Sequence, residues 1–579
     1  MSWALKEKYR ALLSRERGYC KKDWGPGLKI CLAYPHAYRT GMSNLGFQTV
    51  YRLINDQPDC LCERVFLPDP EEEAEFVRGG VSLFSLESQR PLTDFDIVAF
   101  SLSFENDFPN ILNILDLGGI PLLSRERQPS SPLLMAGGIA VTLNPEPLAE
   151  FFELFILGEA EEAIAPFLDA CQEARRAGLA REELLMRLQR EVPGVYVPRF
   201  YHVSYAANRV LAGFVPVHEG LPPRIKKAHL ADINSCLTEQ CIVTGAAELG
   251  DMFLVEVSRG CRRGCRFCAA GFVCLPPRFR RPELLQTAFL HALEGGQKIG
   301  LLGTAVSDHP DLVALCRFIR ERAGKFALGS LRLDRMEPEL VRLLKEGSAE
   351  TLSLAPEAGS QRLRDLMGKG ITEEQIVHAV AVLCEQGIAN IRLYFMVGLP
   401  TEEDKDIEAI IQLAKKIKHL GEKYTQGQGP FKRITLSVNQ FIPKAATPWQ
   451  WHPLTDINVV KKRVRRIAEA LRRESSVKVI HDLPKWNYIQ ALLSLGDRRV
   501  GEILLAVHRQ GGNWPQALKE VNINADFYVY RQKDPAEILP WDFIEQAVSK
   551  DFLLREYQKS GAESPDYARG EYGNDPERN

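Results

Sequence analysis

The sequence predicts an α/β protein: an N-terminal doubly wound parallel sheet, then a partial (β/α)6 barrel of the TIM type, then a C-terminal helical region. Three observations lead there. Between residues 28 and 174, short apolar runs alternate with helical patterns, the rhythm of a parallel sheet covered on both faces. From residue 252 to 438 the same alternation returns in six strand-and-helix units, fewer than the eight of a closed barrel. Between the two lies a stretch of short β-type runs broken by Pro and Gly.

The elements follow in order. Residues 1–26 read as a short helix and a loop. Strands are expected at 28–34, 62–67, 95–103, 132–138 and 151–158, within a domain over 27–175. Helices are expected from Ser43, as cap, to about 54, over 107–117, and over 159–174. Ligands of such sheets sit outside the carboxyl ends of the strands. Those ends carry the loop 35–41, Ser101, Ser103, Gly137, Gly138 and the turn Gly158-Glu-Ala-Glu161.

Residues 176–250 read as a charged helix and a β-hairpin linker; Cys236 and Cys241, five apart, read as bystanders there. The barrel is placed at 251–455, with strands at 252–257, 298–302, 326–331, 350–354, 390–397 and 433–438. Ser307, Asp308 and His309 either line a substrate or cap the next helix. Thr401 is expected to cap its helix, with Asp404 at the capping-box position. Trp449 and Trp451 suit base stacking or packing. The very basic helix 456–473 opens a helical region to residue 560 and reads as a solvated face. The polar tail 561–579 is expected to be disordered.

Composition narrows the class. The 579 residues are 45% apolar, enough for several cores. A net charge of −2 gives no support for a generally basic nucleic-acid binder. The 13 cysteines are too sparse for a disulfide scaffold, the N-terminus lacks a signal-peptide core, and no apolar run approaches a membrane span. A cytoplasmic protein with reduced thiols and no membrane partner is expected.

The chemistry centres on Cys261, Cys265 and Cys268, spaced C-x3-C-x2-C in a loop that Gly260 and Gly264 keep permissive. Thiolates suit iron–sulfur clusters or zinc. Three of them leave one iron of a four-iron cluster open, whereas a structural zinc wants four ligands. The zinc alternative would recruit Cys274.

This loop, with Phe267 before its third cysteine, resembles the cluster loop of the radical S-adenosylmethionine superfamily. The resemblance implies a [4Fe–4S] cluster on the three cysteines whose open iron binds S-adenosylmethionine. One electron, from a donor such as flavodoxin or ferredoxin, then yields methionine and a 5′-deoxyadenosyl radical, which abstracts hydrogen from an inert C–H bond. It also implies a partial-barrel core and cofactor contacts at Phe267, at Gly303 and Thr304 in the Leu302-Gly-Thr-Ala-Val306 stretch, and at Glu357, near the ribose. The segment 354–372 resembles the methylthiotransferase and Elongator-type branch, and 395–404 carries a further marker of it. Arg259, Arg262, Arg263, Arg266, Arg278, Arg280 and Arg281 crowd the loop, to hold the cofactor carboxylate, an anionic substrate or RNA, or to form a partly ion-paired surface.

Residues 27–175 resemble the cobalamin-binding domain that precedes this core in many relatives, best at Gly137, Gly138 and 158–161, and Ser101 and Ser103 join them as candidate cobalamin contacts. The D-x-H-x-x-G pattern, whose histidine ligates cobalt in some cobalamin proteins, is absent; His36 lies in the corresponding loop without the preceding Asp. Either cobalamin binds without a protein ligand or the domain keeps the fold alone. The reading is therefore a radical enzyme for C–H functionalisation, with cobalamin as candidate methyl carrier and a small-molecule, RNA or protein substrate. The alternatives are RNA or protein modification of the methylthiolation type, and a non-enzymatic iron–sulfur structural or sensor protein. Cys20, Cys31, Cys60 and Cys62 lack the spacing of a second three-cysteine set.

Overall fold

Near-continuous apolar runs make the first sheet. In the computed structural model, which describes residues 2–25, 27–329, 331–347, 351–424 and 431–562, β1 (Leu28–Tyr34), β2 (Cys60–Phe66), β3 (Ile97–Ser101), β4 (Leu133–Gly137) and β5 (Leu154–Ile156) run parallel in the order β2-β1-β3-β4-β5. Every residue of β2 and β5 is buried, as expected where helices cover both faces. A sixth strand, β6 (Val195–Tyr196), closes the edge antiparallel to β5. The sequence reading placed that dipeptide with the hairpin; its two buried side chains explain its pairing here instead. The hairpin itself is β7 (Tyr201–Tyr205) with β8 (Leu211–Pro216).

Local chemistry sets the helix starts. Asn44, not Ser43, caps helix Leu45–Asn55, accepting from Phe47 N at 2.9 Å, while Ser43 Oγ donates to Arg39 O. Helix Ala160–Ala177 follows β5. The linker strand β9 (Ile225–Lys226) precedes the second sheet system.

The barrel begins with β10 (Met252–Arg259), followed by β11 (Arg278–Phe279), β12 (Lys298–Gly303) and β13 (Phe326–Leu328). It continues through β14 (Thr351–Glu357), β15 (Asn390–Val397) and β16 (Arg433–Gln440). Apart from the antiparallel β11, neighbours run parallel in two four-stranded sheets joined by a bridge between Leu331 and Leu354. A further parallel strand, β17 (Val477–His481), extends the barrel edge, within the region expected to be helical. Five residues of Val, Lys, Ile and His at an exposed edge carry too little apolar alternation to announce a strand. The rest of the C-terminal region is helical apart from β18 (Ile544–Glu545), which pairs with β9.

Three segments tie the halves together. Gln48 Oε1 accepts from Ile242 N at 2.9 Å, anchoring the linker. Asn144 Nδ2 donates to Ser494 O and Gly496 O, and Arg498 pairs with Glu146 at 2.9 Å. Lys444, in the loop after β16, pairs with Glu105 at 2.6 Å. Trp449 and Trp451 are fully buried, so they pack and are closed to base stacking. Thr401 does not cap its helix: it sits at φ +57 and its Oγ1 accepts from Arg362. Asp406 instead takes Glu403 N at 2.9 Å. The tail from residue 563, and residue 350 of the expected strand 350–354, lie outside the described residues. Among the described residues no helix is long and apolar enough to cross a membrane.

Candidate active site

The three cysteines follow the carboxyl end of β10. The chain turns there at Gly260, φ +83, where a Cβ would stand 2.1 Å from Cys274 O. Two arginines flanking Cys265 hold the loop. Arg263 pairs with Asp308 at 2.6 Å and with Asp334 at 3.2 Å. Arg266 N donates to Met367 O at 2.9 Å, and its guanidinium to Leu366 O and Glu556. Within the loop, Cys268 N donates to Cys265 O and Gly271 N to Cys268 O. Burial pushes the Cys265 thiol up to about 11, against the pull of Lys369. Burial also raises Cys268, while the backbone amides of Gly271 and Ala270 favour its thiolate. Phe267 is half-buried against the large core.

Among the described residues no three His, Cys, Asp or Glu side chains converge on one ion. Cys274, the fourth ligand of the zinc alternative, lines the cavity described below, beside Lys227.

Opposite the loop, β14 ends at Glu357 in the left-handed region, φ +67, after a register shift. Such a conformation in a non-glycine residue costs about 1–3 kcal/mol and needs support. Buried Arg364 supplies it, donating to Ala358 O, Gly359 O and Ile371 O. Lys369 Nζ then reaches Glu357 Oε1 at 2.9 Å. Sequence reasoning chose Glu357 and missed Lys369, although Gly368-Lys-Gly370 marks a tight turn.

Between the first sheet and the barrel lies a cavity of about 490 Å³. Its polar rim includes Asn44, Ser101, Ser103, Gly137 and Gly138 from the first sheet, and Ser258, Gly303 and Thr304 from the barrel. Six of the sequence-selected positions thus share one space, while Phe267 and Glu357 are not among its lining residues. An apolar arm runs under the first sheet along Leu32, Met135, Phe167 and Leu168. Ser258 Oγ, fully buried on the wall, has no hydrogen-bond partner among the described residues. Gly303 lies beside it, where a Cβ would stand 2.5 Å from that oxygen. Sequence reasoning missed Ser258, just before the cysteine spacing, and Lys227 and His229, which lie in a stretch without a motif.

Most of the crowded arginines hold protein. Arg259 bonds Glu161 at 2.7 Å and Glu256 at 2.9 Å, Arg278 bonds Glu159 at 2.9 Å, and buried Arg280 bonds Glu256 at 2.6 Å. The Gly158–Glu161 turn is therefore a docking element for the barrel. Burial raises the Glu159 carboxyl, but Arg278 and Arg259 together hold it below its ordinary value. Burial and Arg278 hold the His229 imidazole below its ordinary value. Asp308 binds Arg263, Ser307 Oγ accepts from Arg332 N, and His309 bonds Arg280 O, so this triplet is structural.

Comparisons with known proteins agree with this architecture. The family model described as radical SAM proteins, N-terminal, matches residues 46–198, and that of the radical SAM superfamily matches 255–414. An uncharacterized protein of Methanocaldococcus jannaschii is 29% identical over 480 residues, covering 82% of this chain and 90% of that protein. The threonylcarbamoyladenosine tRNA methylthiotransferase of Aquifex aeolicus is 24% identical over 44% of this chain, which spans 62% of that protein's length. In fold, the chain is similar to the radical S-adenosylmethionine methyltransferase TsrM from Kitasatospora setae, solved with cobalamin and a [4Fe–4S] cluster. The TM-score is 0.51 at 11% identity, covering 84% of this chain and 100% of that one. Members of the matched superfamily are enzymes, and the family implies a [4Fe–4S] cluster, S-adenosylmethionine, an electron donor and a substrate. The chain belongs to the radical S-adenosylmethionine superfamily and joins that superfamily's N-terminal domain to its core domain.

Proposed function

We propose that this enzyme is a cobalamin-dependent methyltransferase, with Cys261, Cys265 and Cys268 as the cluster ligands and the first sheet as the cobalamin platform. The observation that carries the reading is the single cavity opening onto the carboxyl ends of strands of the first sheet and of the barrel. Its size suits a cofactor. The apolar arm fits a flat apolar base, and the rim of Asn44, Ser101 and Ser103 fits amide groups. The orphaned Ser258 Oγ is satisfied by a polar group of the occupant.

When bound, the cluster supplies the electron that cleaves S-adenosylmethionine, and cobalamin supplies a methyl carrier. The chain's own residues do the positioning. Arg263 and Arg266 fix the cysteine loop, and the Glu357–Lys369 pair presents one carboxylate and one cation beside it. Arg259 and Arg278 hold the first domain against β10, which excludes water from the space between. The electron donor is of the flavodoxin or ferredoxin class, in a reducing cytoplasm that keeps the 13 free cysteines reduced.

A methylthiolation reading draws on the tRNA methylthiotransferase match. Against it, Cys31, Cys60 and Cys62 are buried in β1 and β2, where they cannot ligate a second cluster at the cavity. The test is anaerobic turnover of the reconstituted full chain with hydroxocobalamin, reduced flavodoxin and methyl-labelled S-adenosylmethionine. Labelled methylcobalamin is expected. A fully clustered protein that never labels cobalamin, or that forms a methylthio product on tRNA, overturns the reading.

A further inference from the structure

Eleven histidines are spread along the chain, and His229 is the one that lines the cavity between the first sheet and the barrel. The backbone puts it there. Ala228 forms a parallel bridge with Gly158. Ala228 N donates to Leu157 O at 2.8 Å, and Glu159 N to Ala228 O at 3.0 Å. This segment therefore continues the first sheet beyond the carboxyl end of β5, where ligands of doubly wound sheets sit. The fit is close. A Cβ on Gly158 would stand 2.2 Å from Ala228 O, and one on Gly194 would stand 2.9 Å from Ala228 N.

The ring itself is uncommitted. Neither nitrogen has a hydrogen bond among the described residues, and the side chain is 32% exposed. Glu159 Oε1 lies 3.9 Å from Nδ1. That is beyond hydrogen-bond reach, and Glu159 already accepts from Arg278 and Leu230 N; its negative charge nevertheless stands on the Nδ1 side of the ring, where a metal-ligating histidine ordinarily has its carboxylate, and leaves Nε2 for the metal. The same wall offers two other candidates, and both are poorer ligands. Lys227 Nζ already donates to Val273 O. Cys274 is a half-buried thiol whose proton burial favours. His36, in the loop after β1, is excluded by place and by bonding: it does not line the cavity, and its Nδ1 accepts from Ala37 N at 2.8 Å.

The geometry points to His229 as an axial ligand of the cobalt in a cobalamin held in this cavity, an assignment that rests on the cobalamin reading above. It replaces the missing D-x-H-x-x-G histidine with one from the linker beside β5, three strands along the sheet from the loop after β1.

The test reads the cobalt directly. Full-length protein grown with nitrogen-15 histidine is loaded with hydroxocobalamin, reduced to the cobalt(II) state and studied by electron paramagnetic resonance. Expected is a nitrogen superhyperfine pattern that changes from triplets in unlabelled protein to doublets in labelled protein. His229→Ala and His229→Gln lose the doublets, while His36→Ala keeps them. Retained cobalamin, by visible absorption, with the same pattern in labelled and unlabelled protein overturns the assignment and leaves the cobalamin reading standing. Failure to retain cobalamin at all overturns both.

Discussion

Arg259 Nη2 donates to Glu161 Oε1 at 2.7 Å, joining the last residue of the strand that leads to the cysteines to the first turn of a helix in the other domain. The same guanidinium bonds Glu256 of its own strand. The position of the cysteine loop relative to the first sheet is thus held by charge-assisted bonds that are largely buried.

Glu161→Gln keeps the shape and removes the charge. Arg259 retains Glu256 and Glu159, so the loss of stability is about 1.5–3 kcal/mol, the worth of a hydrogen bond to a charged group. Denaturant unfolding of the variant checks it, and an unchanged midpoint would mean that the latch does not bear on stability.

On the proposed assignment, any one of Cys261→Ala, Cys265→Ala and Cys268→Ala removes a cluster ligand. Anaerobically reconstituted wild type should carry roughly four irons per chain, and each variant far less. Cys274→Ala should keep the wild-type iron content, because Cys274 lines the cavity beside Lys227 and is not one of the three proposed ligands. Iron and sulfide analysis decides.

Gly138→Ala tests the floor of the first sheet. Gly138 has φ +112, and a Cβ there would stand 2.4 Å from Leu102 O. Backbone cannot yield as a side-chain tip does, so the cost is at least about 1–3 kcal/mol. Gly80→Ala, at φ +58 with nothing within 4 Å of its Cβ, should cost less. Paired thermal melts compare them.

Asp107 gives a pH dependence with a definite sign. Burial, and then the charge of Glu105, push its carboxyl up to about 7. An unfolded aspartate titrates near about 4, so the folded state binds the extra proton between these values. The stabilisation is complete below about pH 4 and is lost as pH rises through about 7, by roughly 2–4 kcal/mol. Asp107→Asn should flatten the decline of stability between about pH 4 and pH 7. An identical slope in both proteins would contradict the assignment.

The cysteine loop and the strand rhythm were legible because both are local: a spacing of ligands, and apolar runs of strand length. The roles of the arginines were not. Arg259, Arg263 and Arg278 find their carboxylates at Glu161, Asp308 and Glu159, 45 to 119 positions away in the chain, and only the fold brings them together. Ser101, Ser103, Gly137 and Gly138 could be chosen because strand ends are where such sheets bind ligands. Ser258 and His229 could not, since one is a strand residue before the motif and the other a lone histidine in a linker. β17 was hidden for the opposite reason, a short edge strand directly after a strongly basic helix.

The central claim is that the shared cavity holds cobalamin beside the cluster loop. The most direct measurement is the cobalamin retained by full-length protein after incubation with hydroxocobalamin and gel filtration, read from the visible spectrum. About one cobalamin per chain is predicted, falling steeply when Met135→Trp fills the apolar arm. Wild type that carries its iron and retains no cobalamin would contradict the account.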